Sequence, residues 1–274
     1  GADEALVLVP LGNALLLQRK HEEILKLVRS RDPASRADAG VLSVRAQAHL
    51  ELGQLDAAER DFRDAVWVAP TKAEPLLGLA DVLLLRGDRA QAELTIDDAA
   101  RLEPDNEEVW FRKGQLRVLA GEPQQALALF GRTLSRAPAH MRARMARAKL
   151  HIGRGDYEAA RTDADKVLSL VPNDAYAALI SAQANARLGA GANATAAFNL
   201  AAQRIAEIDP EFLWRNPAGL ALAGKISFVQ RDFEKVNLYL TRYLGLQPNL
   251  APTVRRLLGR ARLEIGDAKG AVDV

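Results

Sequence analysis

The 274-residue sequence has no cysteine, which excludes a disulfide framework, a thiolate metal site and a catalytic thiol. Aromatic residues make up only 5% of the chain, and this scarcity beside abundant Ala, Leu and Arg favours helices over sheets. The formal net charge of +2 is too small to indicate a nucleic-acid partner by itself. Apolar runs stay below the roughly 18 residues that a membrane span needs. The missing cysteines fit either a reducing cytosol or a disulfide-free periplasmic protein.

What the chain does have is a period of 34 residues. A glycine recurs with this period at Gly53, Gly87, Gly121, Gly155 and Gly189, and a proline at Pro70, Pro104, Pro138 and Pro172. Small residues recur at two further points of the same period. The first set is Ala46, Ala80, Gly114, Ala148 and Ala182, and the second is Ala58, Ala92, Ala126, Ala160 and Ala194. Because several independent positions share one period and one phase, the sequence predicts an internal repeat.

One repeat, counted from Glu107 as position 1, shows the physical logic of the spacing. Gly114 at position 8 and Ala126 at position 20 let two helices approach closely where they cross. Gly121 at position 15 accepts the positive φ that follows a helix end. Pro138 at position 32 ends the second helix. Since one helix pair cannot bury its apolar faces alone, copies must stack.

This pattern resembles the tetratricopeptide repeat (TPR), a 34-residue helix-turn-helix unit. The resemblance implies an all-α fold, a right-handed superhelix of helix pairs that covers residues 1–274 as a single solenoid. The repeats are predicted to start near residues 5, 39, 73, 107, 141, 175, 217 and 252. The first repeat is degenerate, with Arg19 at the turn position, and the last is truncated inside its second helix.

An eight-residue insertion separates repeats six and seven, because the turn position moves from Gly189 to Arg231. We expect the second helix of repeat six to run on from Ala206 to Pro210. Pro217 is expected to open the next helix, where a first-turn proline is favourable.

The insertion also carries three large apolar residues, Phe212, Leu213 and Trp214. They either plug the widened junction between the two repeats or form an exposed apolar knob for a partner.

A second resemblance concerns the amino-acid sequence of particular stretches within the repeats. Three stretches are similar to the long TPR proteins of bacterial exosortase (PEP-CTERM) systems: PASRADAGVLSVRAQAHLELGQLDAAERDF (33–62), PLLGLADVLLLRGD (75–88) and RRLLGRARLEIGDAKGAV (255–272). This resemblance implies a predicted lipoprotein linked to exopolysaccharide production and export, periplasmic or associated with the outer membrane. The lipid-bearing cysteine is missing, which we interpret as a trimmed fragment beginning at Gly1. A cytoplasmic location is the alternative.

The TPR resemblance also implies a binding surface, since in this family positions 2, 5, 9 and 12 of each first helix line a concave groove. Position 9 forms a polar column that turns cationic: Asn13, Gln47, Asp81, Gln115, Lys149, Gln183, Lys225 and Arg260. Position 5 is mostly apolar and includes Phe111, Met145 and Leu179. Amides beside apolar side chains suit an extended peptide. The alternative is that position 9 is polar only because it faces water.

Charge is distributed unevenly along the chain. Residues 51–106 carry a net charge of −7, whereas residues 107–156 carry +6. The basic segment includes Arg142, Arg144, Arg147 and Lys149. These cations are either an ordinary solvated face or a patch that attracts an acidic polysaccharide.

The remaining motifs do not support an enzyme. Residues 189–194 match the GxGxxA dinucleotide fingerprint, but that fingerprint follows a β-strand, and here predicted helices flank it. No pair of residues stands out as a general acid and base. None of the four histidines has a second metal ligand at a suitable spacing: His21, His49, His140 and His151. We therefore expect no catalytic residue, no cofactor and no metal.

Together these patterns predict a non-enzymatic scaffold that binds an extended peptide or partner protein in its groove. The predicted setting is a bacterial exopolysaccharide production, export or PEP-CTERM sorting system. The alternatives are a cytosolic peptide-binding adaptor and a module that binds acidic polysaccharide through the basic patch. We expect no nucleic-acid partner and no membrane span in this fragment.

Overall fold

The computed structural model describes residues 2–28, 38–189, 194–247 and 252–273, which are helical with no strand. The chain divides into two compact units, Gly1–Pro138 and Ala139–Val274. The described helices of the first unit are α1 (Ala2–Leu17), α2 (His21–Leu27), α3 (Ala39–Glu51), α4 (Leu55–Val68), α5 (Ala73–Leu85), α6 (Arg89–Leu102), α7 (Glu107–Leu119) and α8 (Pro123–Arg136). Those of the second unit are α9 (Met141–Arg154), α10 (Tyr157–Leu170), α11 (Ala175–Leu188), α12 (Ala194–Ala206), α13 (Pro210–Arg215), α14 (Pro217–Val229), α15 (Phe233–Leu246), α16 (Pro252–Glu264) and α17 (Ala268–Val272).

Each unit is a series of helix pairs joined by tight turns. We call the first helix of a pair an A helix and the second a B helix. The A helices are α1, α3, α5 and α7 in the first unit and α9, α11, α14 and α16 in the second, while α13 belongs to no pair. The core continues from pair to pair, because Phe62 of α4 lies in one cluster with Ala46 of α3 and Val82 of α5. The predicted all-α array of stacked helix pairs is confirmed within each unit.

In every pair except α11–α12, the turn is closed by the same hydrogen bond and by a residue in the left-handed conformation. In the α3–α4 turn, Gly53 has φ 73° and the Gln54 N–H donates to the His49 carbonyl at 2.9 Å. This 6→1 bond is the Schellman motif, which satisfies a carbonyl that the helix end leaves free. Arg19 and Arg231 take the same conformation, with φ 58° and 60°, as their turn positions predict. The backbone requirement is therefore kept even where glycine is replaced.

Gly189 departs from the predicted pattern. The repeat spacing predicts a left-handed turn there, but Gly189 has φ −68° and ψ −4°, and its N–H donates to the Asn185 carbonyl. That prediction is wrong, because Gly189 continues the right-handed turn of α11 and so cannot itself reverse the chain. Residues 190–193, which include the rest of the GxGxxA match, lie outside the described part of the chain.

Small residues lie where the A and B helices cross, as the sequence predicts. In repeats two to six, these position 8 and position 20 alanines are fully buried: Ala46, Ala58, Ala80, Ala92, Ala126, Ala148, Ala160 and Ala182. At Gly114 the approach is closer still, since a Cβ there would lie 2.5 Å from Cε1 of Phe130. Larger residues at these crossings would push the paired helices apart.

The insertion between the sixth and seventh pairs does not lengthen α12. That helix ends at Ala206, and the separate short helix α13 begins at Pro210, so the expected run-on to Pro210 is wrong. Two local features start the new helix. Asp209 caps it by accepting a hydrogen bond from the Phe212 N–H at 2.8 Å, and Pro210 occupies its first turn. Pro217 then opens α14, as predicted.

Candidate partner-binding surface

The candidate surface is formed by the A helices, which lie next to one another within each unit. Positions 2, 5, 9 and 12 are three or four residues apart and therefore share one face of an α-helix. In the second unit, Leu179 of α11 and Ala223 of α14 belong to one cluster, against which Met145 of α9 packs. Position 5 thus contributes to the layer that joins neighbouring A helices, and position 9 lies one helical turn further along the same face.

The position 9 side chains reach solvent to different degrees. Four of them are exposed: Asn13, Lys149, Lys225 and Arg260. The other four are half-buried: Gln47, Asp81, Gln115 and Gln183. At position 5, Phe111 and Leu179 are buried and Met145 is half-buried. Each unit therefore presents accessible polar groups beside an apolar layer. Which of these groups contact a partner stays a prediction.

In the first unit, Arg112 organises the surface around Gln115. The Arg112 guanidinium lies 2.8 Å from Asp81 Oδ2 and donates to Gln115 Oε1 at 3.1 Å. Because the carbonyl of Gln115 already accepts this hydrogen bond, a partner can bind its NH₂ and the second lone pair of that oxygen. Sequence reasoning missed Arg112, which lies at position 6. Its sequence signal is an arginine that lies three residues before the position 9 glutamine and 31 residues after the position 9 aspartate of the preceding repeat.

Gln47, another position 9 amide of the first unit, uses its NH₂ rather than its carbonyl in an internal hydrogen bond. Gln47 Nε2 donates to Glu51 Oε1 at 3.0 Å, one turn further along α3. Gln47 therefore keeps its carbonyl oxygen as an acceptor. The two glutamines together offer one donor group and one acceptor, which are the two groups that a peptide backbone requires.

In the second unit, Lys149 lies against an aromatic ring. Its Nζ is 5.1 Å from the centroid of Tyr176, which is half exposed at position 2 of the next A helix. A cation over an aromatic face is attracted by the ring quadrupole. Tyr176 in turn meets Phe212 edge to face, with centroids 4.7 Å apart. Within the described residues, Lys149 is therefore held at the surface by a ring and not by a carboxylate.

Asp163 pairs with two of the four cations of the predicted basic patch. Arg147 makes two hydrogen bonds to this carboxylate, both 2.7 Å long, and Arg144 makes a third at 3.2 Å. The Asp163 side chain is only 3% exposed, and its hydrogen bonds raise the pKa of Arg147. Arg144 and Arg147 thus have an internal partner, whereas Arg142 and Lys149 are exposed. The patch therefore offers less surface charge than the sequence count implies.

A parallel pair in the first unit could have revealed this arrangement. Arg45 and Asp61, also sixteen residues apart, form two hydrogen bonds of 2.6 Å in a buried site. Both pairs join position 7 to position 23 of one repeat. An arginine and an aspartate at those positions are the sequence signal for an internal ion pair.

The apolar residues of α13 behave mainly as a plug. Leu213 is buried in the cluster that contains Ala178, and Phe212 packs against it. Trp214 remains 38% exposed, but Arg242 lies over its ring, and the Arg242 Nε–H donates to the Trp214 carbonyl at 3.2 Å. Of the two alternatives for these residues, the plugged junction describes Phe212 and Leu213.

Two of the histidines make hydrogen-bonding contacts that belong to the fold. His140 caps α9, since its Nδ1 accepts the Ala143 N–H at 3.0 Å, and His49 lies 2.6 Å from Gln54 Oε1. The described residues contain no group of three or more His, Cys, Asp or Glu side chains arranged to hold a metal ion. In the same residues, no helix has the length and hydropathy needed to cross a membrane. The GxGxxA match follows helix α11 rather than a strand, so its dinucleotide interpretation lacks the required context.

Comparison with known proteins agrees with the repeat pattern. The tetratricopeptide repeat family model matches residues 49–113 and 117–186. General transcription factor 3C polypeptide 3 of Homo sapiens is 25% identical over 161 residues, which is 58% of this chain and 18% of that protein. The chain therefore spans less than a fifth of the length of this curated relative.

Several solved structures share the fold. The APC/C hetero-tetramer Cut9-Hcn1 has a TM-score of 0.66 at 17% identity, over 91% of this chain and 46% of that chain. PilF of Pseudomonas aeruginosa has a TM-score of 0.65 at 17% identity, over 82% of this chain and 97% of that one. A thermophilic TPR protein of Thermus thermophilus has a TM-score of 0.59 at 22% identity, over 66% and 98%. The repeat period, the stacked helix pairs and these matches agree, and the chain is a tetratricopeptide repeat protein.

Proposed function

We propose that this chain is a non-enzymatic scaffold that holds an extended segment of a partner protein against its A helices. Tetratricopeptide repeat proteins are generally non-catalytic protein-interaction scaffolds. The observation that carries the proposal is the arrangement of position 9 beside position 5. Accessible amides, such as Gln47, Gln115 and Gln183, lie next to an apolar layer that includes Phe111 and Leu179. A peptide backbone pairs with amides, while its side chains contact the part of the apolar layer that reaches solvent, such as the half-buried Met145.

Peptide selection tests the proposal in each unit. Peptides selected from a random display library on the whole chain are measured against the variants Gln47→Ala/Gln115→Ala and Gln183→Ala. Since one hydrogen bond contributes about 0.5–1.5 kcal/mol, each lost amide should weaken binding by roughly 2- to 12-fold in the unit concerned. Gln124→Ala/Gln125→Ala is the matched control, because both glutamines are exposed on the B helix α8. Equal weakening by the control, or unchanged binding in the A-helix variants, contradicts the proposal.

We place the scaffold in a bacterial exopolysaccharide production, export or PEP-CTERM sorting system, on the periplasmic side. The support is the resemblance of residues 33–62, 75–88 and 255–272 to the TPR proteins of those systems. Deleting the gene should lower cell-bound exopolysaccharide, and the protein should fractionate with the periplasm or outer membrane. A cytosolic protein whose deletion leaves the polysaccharide unchanged would instead be a peptide-binding adaptor. Direct polysaccharide binding through the basic patch is less favoured, because Asp163 pairs with two of its four cations.

A further inference from the structure

The A helices of the second unit are strongly cationic. The helices α9, α11, α14 and α16 contain eleven Arg and Lys residues and one acid, Glu264. The A helices of the first unit contain four Arg and Lys residues and seven acids. This asymmetry is specific to one face, because the B helices α10 and α15 of the second unit mix both signs. The A-helix face of the second unit therefore carries a concentrated positive charge.

Much of this charge is not neutralised internally. Among the eleven cations, Arg144 and Arg147 pair with Asp163, and Arg154 pairs with Asp156. Four others at positions 5 and 9 are exposed and form no ion pair with a carboxylate of the described residues: Lys149, Lys225, Arg256 and Arg260. Two of these four lie over aromatic rings, Lys149 over Tyr176 and Arg260 over Phe228 at 5.4 Å. A ring contact leaves the positive charge available to an anion.

These cations occur on three A helices of one unit. Neighbouring helices pack roughly 8–10 Å apart, so four A helices span about 30 Å. An extended chain advances about 3.3 Å per residue, and a segment of about ten residues would cross the whole face. Gln183 lies on the intervening helix α11, where it can pair with a peptide backbone.

We propose that the A-helix face of the second unit binds an acidic, extended polypeptide segment of about ten residues. Its carboxylates meet Lys149, Lys225, Arg256 and Arg260, and its backbone meets Gln183. This inference rests on the proposed function and adds the chemical class of the partner. A polypeptide fits better than a polyuronate, because apolar side chains between its carboxylates can contact Met145, which is half-buried at position 5 of α9. An acidic polysaccharide uses the cations but supplies no apolar side chain.

Fluorescence anisotropy with defined probes tests the inference on the whole chain. The probes are a labelled decapeptide that alternates Glu with Ala, its Lys–Ala counterpart, and a labelled polygalacturonate oligomer of similar length. The test variant is Lys149→Ala/Lys225→Ala/Arg256→Ala/Arg260→Ala. The control removes the same charge from B helices: Arg161→Ala/Lys166→Ala/Lys235→Ala/Lys269→Ala. Both variants should keep the wild-type circular dichroism spectrum, because the substituted side chains lie at the surface or half-buried at it.

The Glu peptide should bind more tightly than the Lys peptide and the polygalacturonate. The test variant should weaken it at least tenfold, since exposed ion pairs contribute up to about fivefold each. The control variant should change its affinity less than about threefold, because those charges lie on the other helices. Raising the salt concentration should weaken binding, since exposed charges are screened.

Four results would overturn the inference. Tighter binding of polygalacturonate than of the Glu peptide makes the occupant a polysaccharide. Equal effects of the two quadruple variants on the affinity show that the peptide is attracted to net charge rather than to this face. Selected decapeptides that are poor in acids, yet lose affinity in Gln183→Ala, exclude the acidic class while leaving the scaffold function intact. If no decapeptide binds, both the inference and the proposed function are wrong.

Discussion

Gly114 tests whether close helix crossing holds these repeats together. It faces Phe130, which is fully buried in α8 and whose ring centroid lies 5.8 Å from that of Phe111. A Cβ at Gly114 would lie 2.5, 2.8 and 3.1 Å from three atoms of the Phe130 ring. A ring held between Gly114 and Phe111 has little room to move, so the added methyl overpacks the crossing by about 1–3 kcal/mol.

A second glycine in the same pair provides the matched control. Gly131 lies inside α8, and a Cβ there would meet nothing within 4 Å. Replacing a helical glycine by alanine gains about 1 kcal/mol of helix propensity at either position. Because this gain is common to both, Gly131→Ala should stabilise the protein, and Gly114→Ala should be less stable than Gly131→Ala by about 1–3 kcal/mol. Gly114→Leu should be more destabilised than Gly114→Ala.

Urea unfolding at pH 7 measures this difference in stability. Unfolding is monitored by circular dichroism and by tryptophan fluorescence, since Trp110 is buried in α7, one turn before Gly114. The double variant Gly114→Ala/Phe130→Leu should recover part of the loss, because the smaller side chain frees the space that the methyl needs. If Gly114→Ala is as stable as Gly131→Ala, the close crossing does not limit packing, and the assigned repeat register is wrong.

Two further predictions concern charged groups. In urea titrations, Asp61→Asn should lower the free energy of unfolding by about 3 kcal/mol, which is more than the effect of Asp163→Asn. The reason is that the arginine left behind is more buried, since the Arg45 side chain is 6% exposed and the Arg147 side chain is 27% exposed. A larger effect of Asp163→Asn would refute the burial argument. Glu103 accepts hydrogen bonds from the Asn106 side chain and the Ala73 N–H, which hold its pKa below the usual value. Its stabilisation is therefore present above the unfolded pKa of about 4.3 and lost as the pH falls through the lower folded pKa. Glu103→Gln should be less stable than wild type at pH 7 by less than about 1 kcal/mol, since solvent screens the group, and the two proteins should converge in acid; a constant difference from pH 7 to pH 3 would contradict this.

The repeat architecture could be predicted because each repeat imposes the same local requirements. Close crossing demands a small residue such as Ala148, and the Schellman turn demands a left-handed residue such as Gly155. These demands act within a few residues of each other or across one pair of helices, so they appear as a period. Arg19 could be placed from the period, and Arg231 from the repeat pattern that resumes after the insertion, because backbone geometry persists when glycine is replaced.

The period failed where another local signal competed with it. Gly189 occupies the turn position but keeps a helical φ, so its residue type did not determine its conformation. At the insertion, the Asp209 cap and Pro210 start a new helix instead of extending α12. In both places a conserved spacing was a weaker guide than the hydrogen bonds that each segment can make.

The repeat pattern was sufficient to predict the helices, the turns, the helix crossings and the polar column at position 9. Packing between helices determines which charges on these helices remain available to a partner. Arg144 and Arg147 turn to Asp163, Arg112 occupies the carbonyl of Gln115, and Lys149 lies over Tyr176. Long side chains can reach several partners at similar free energy, and the one they reach depends on the neighbouring helix. A periodic pattern specifies where such a side chain begins, whereas its partner is specified by packing.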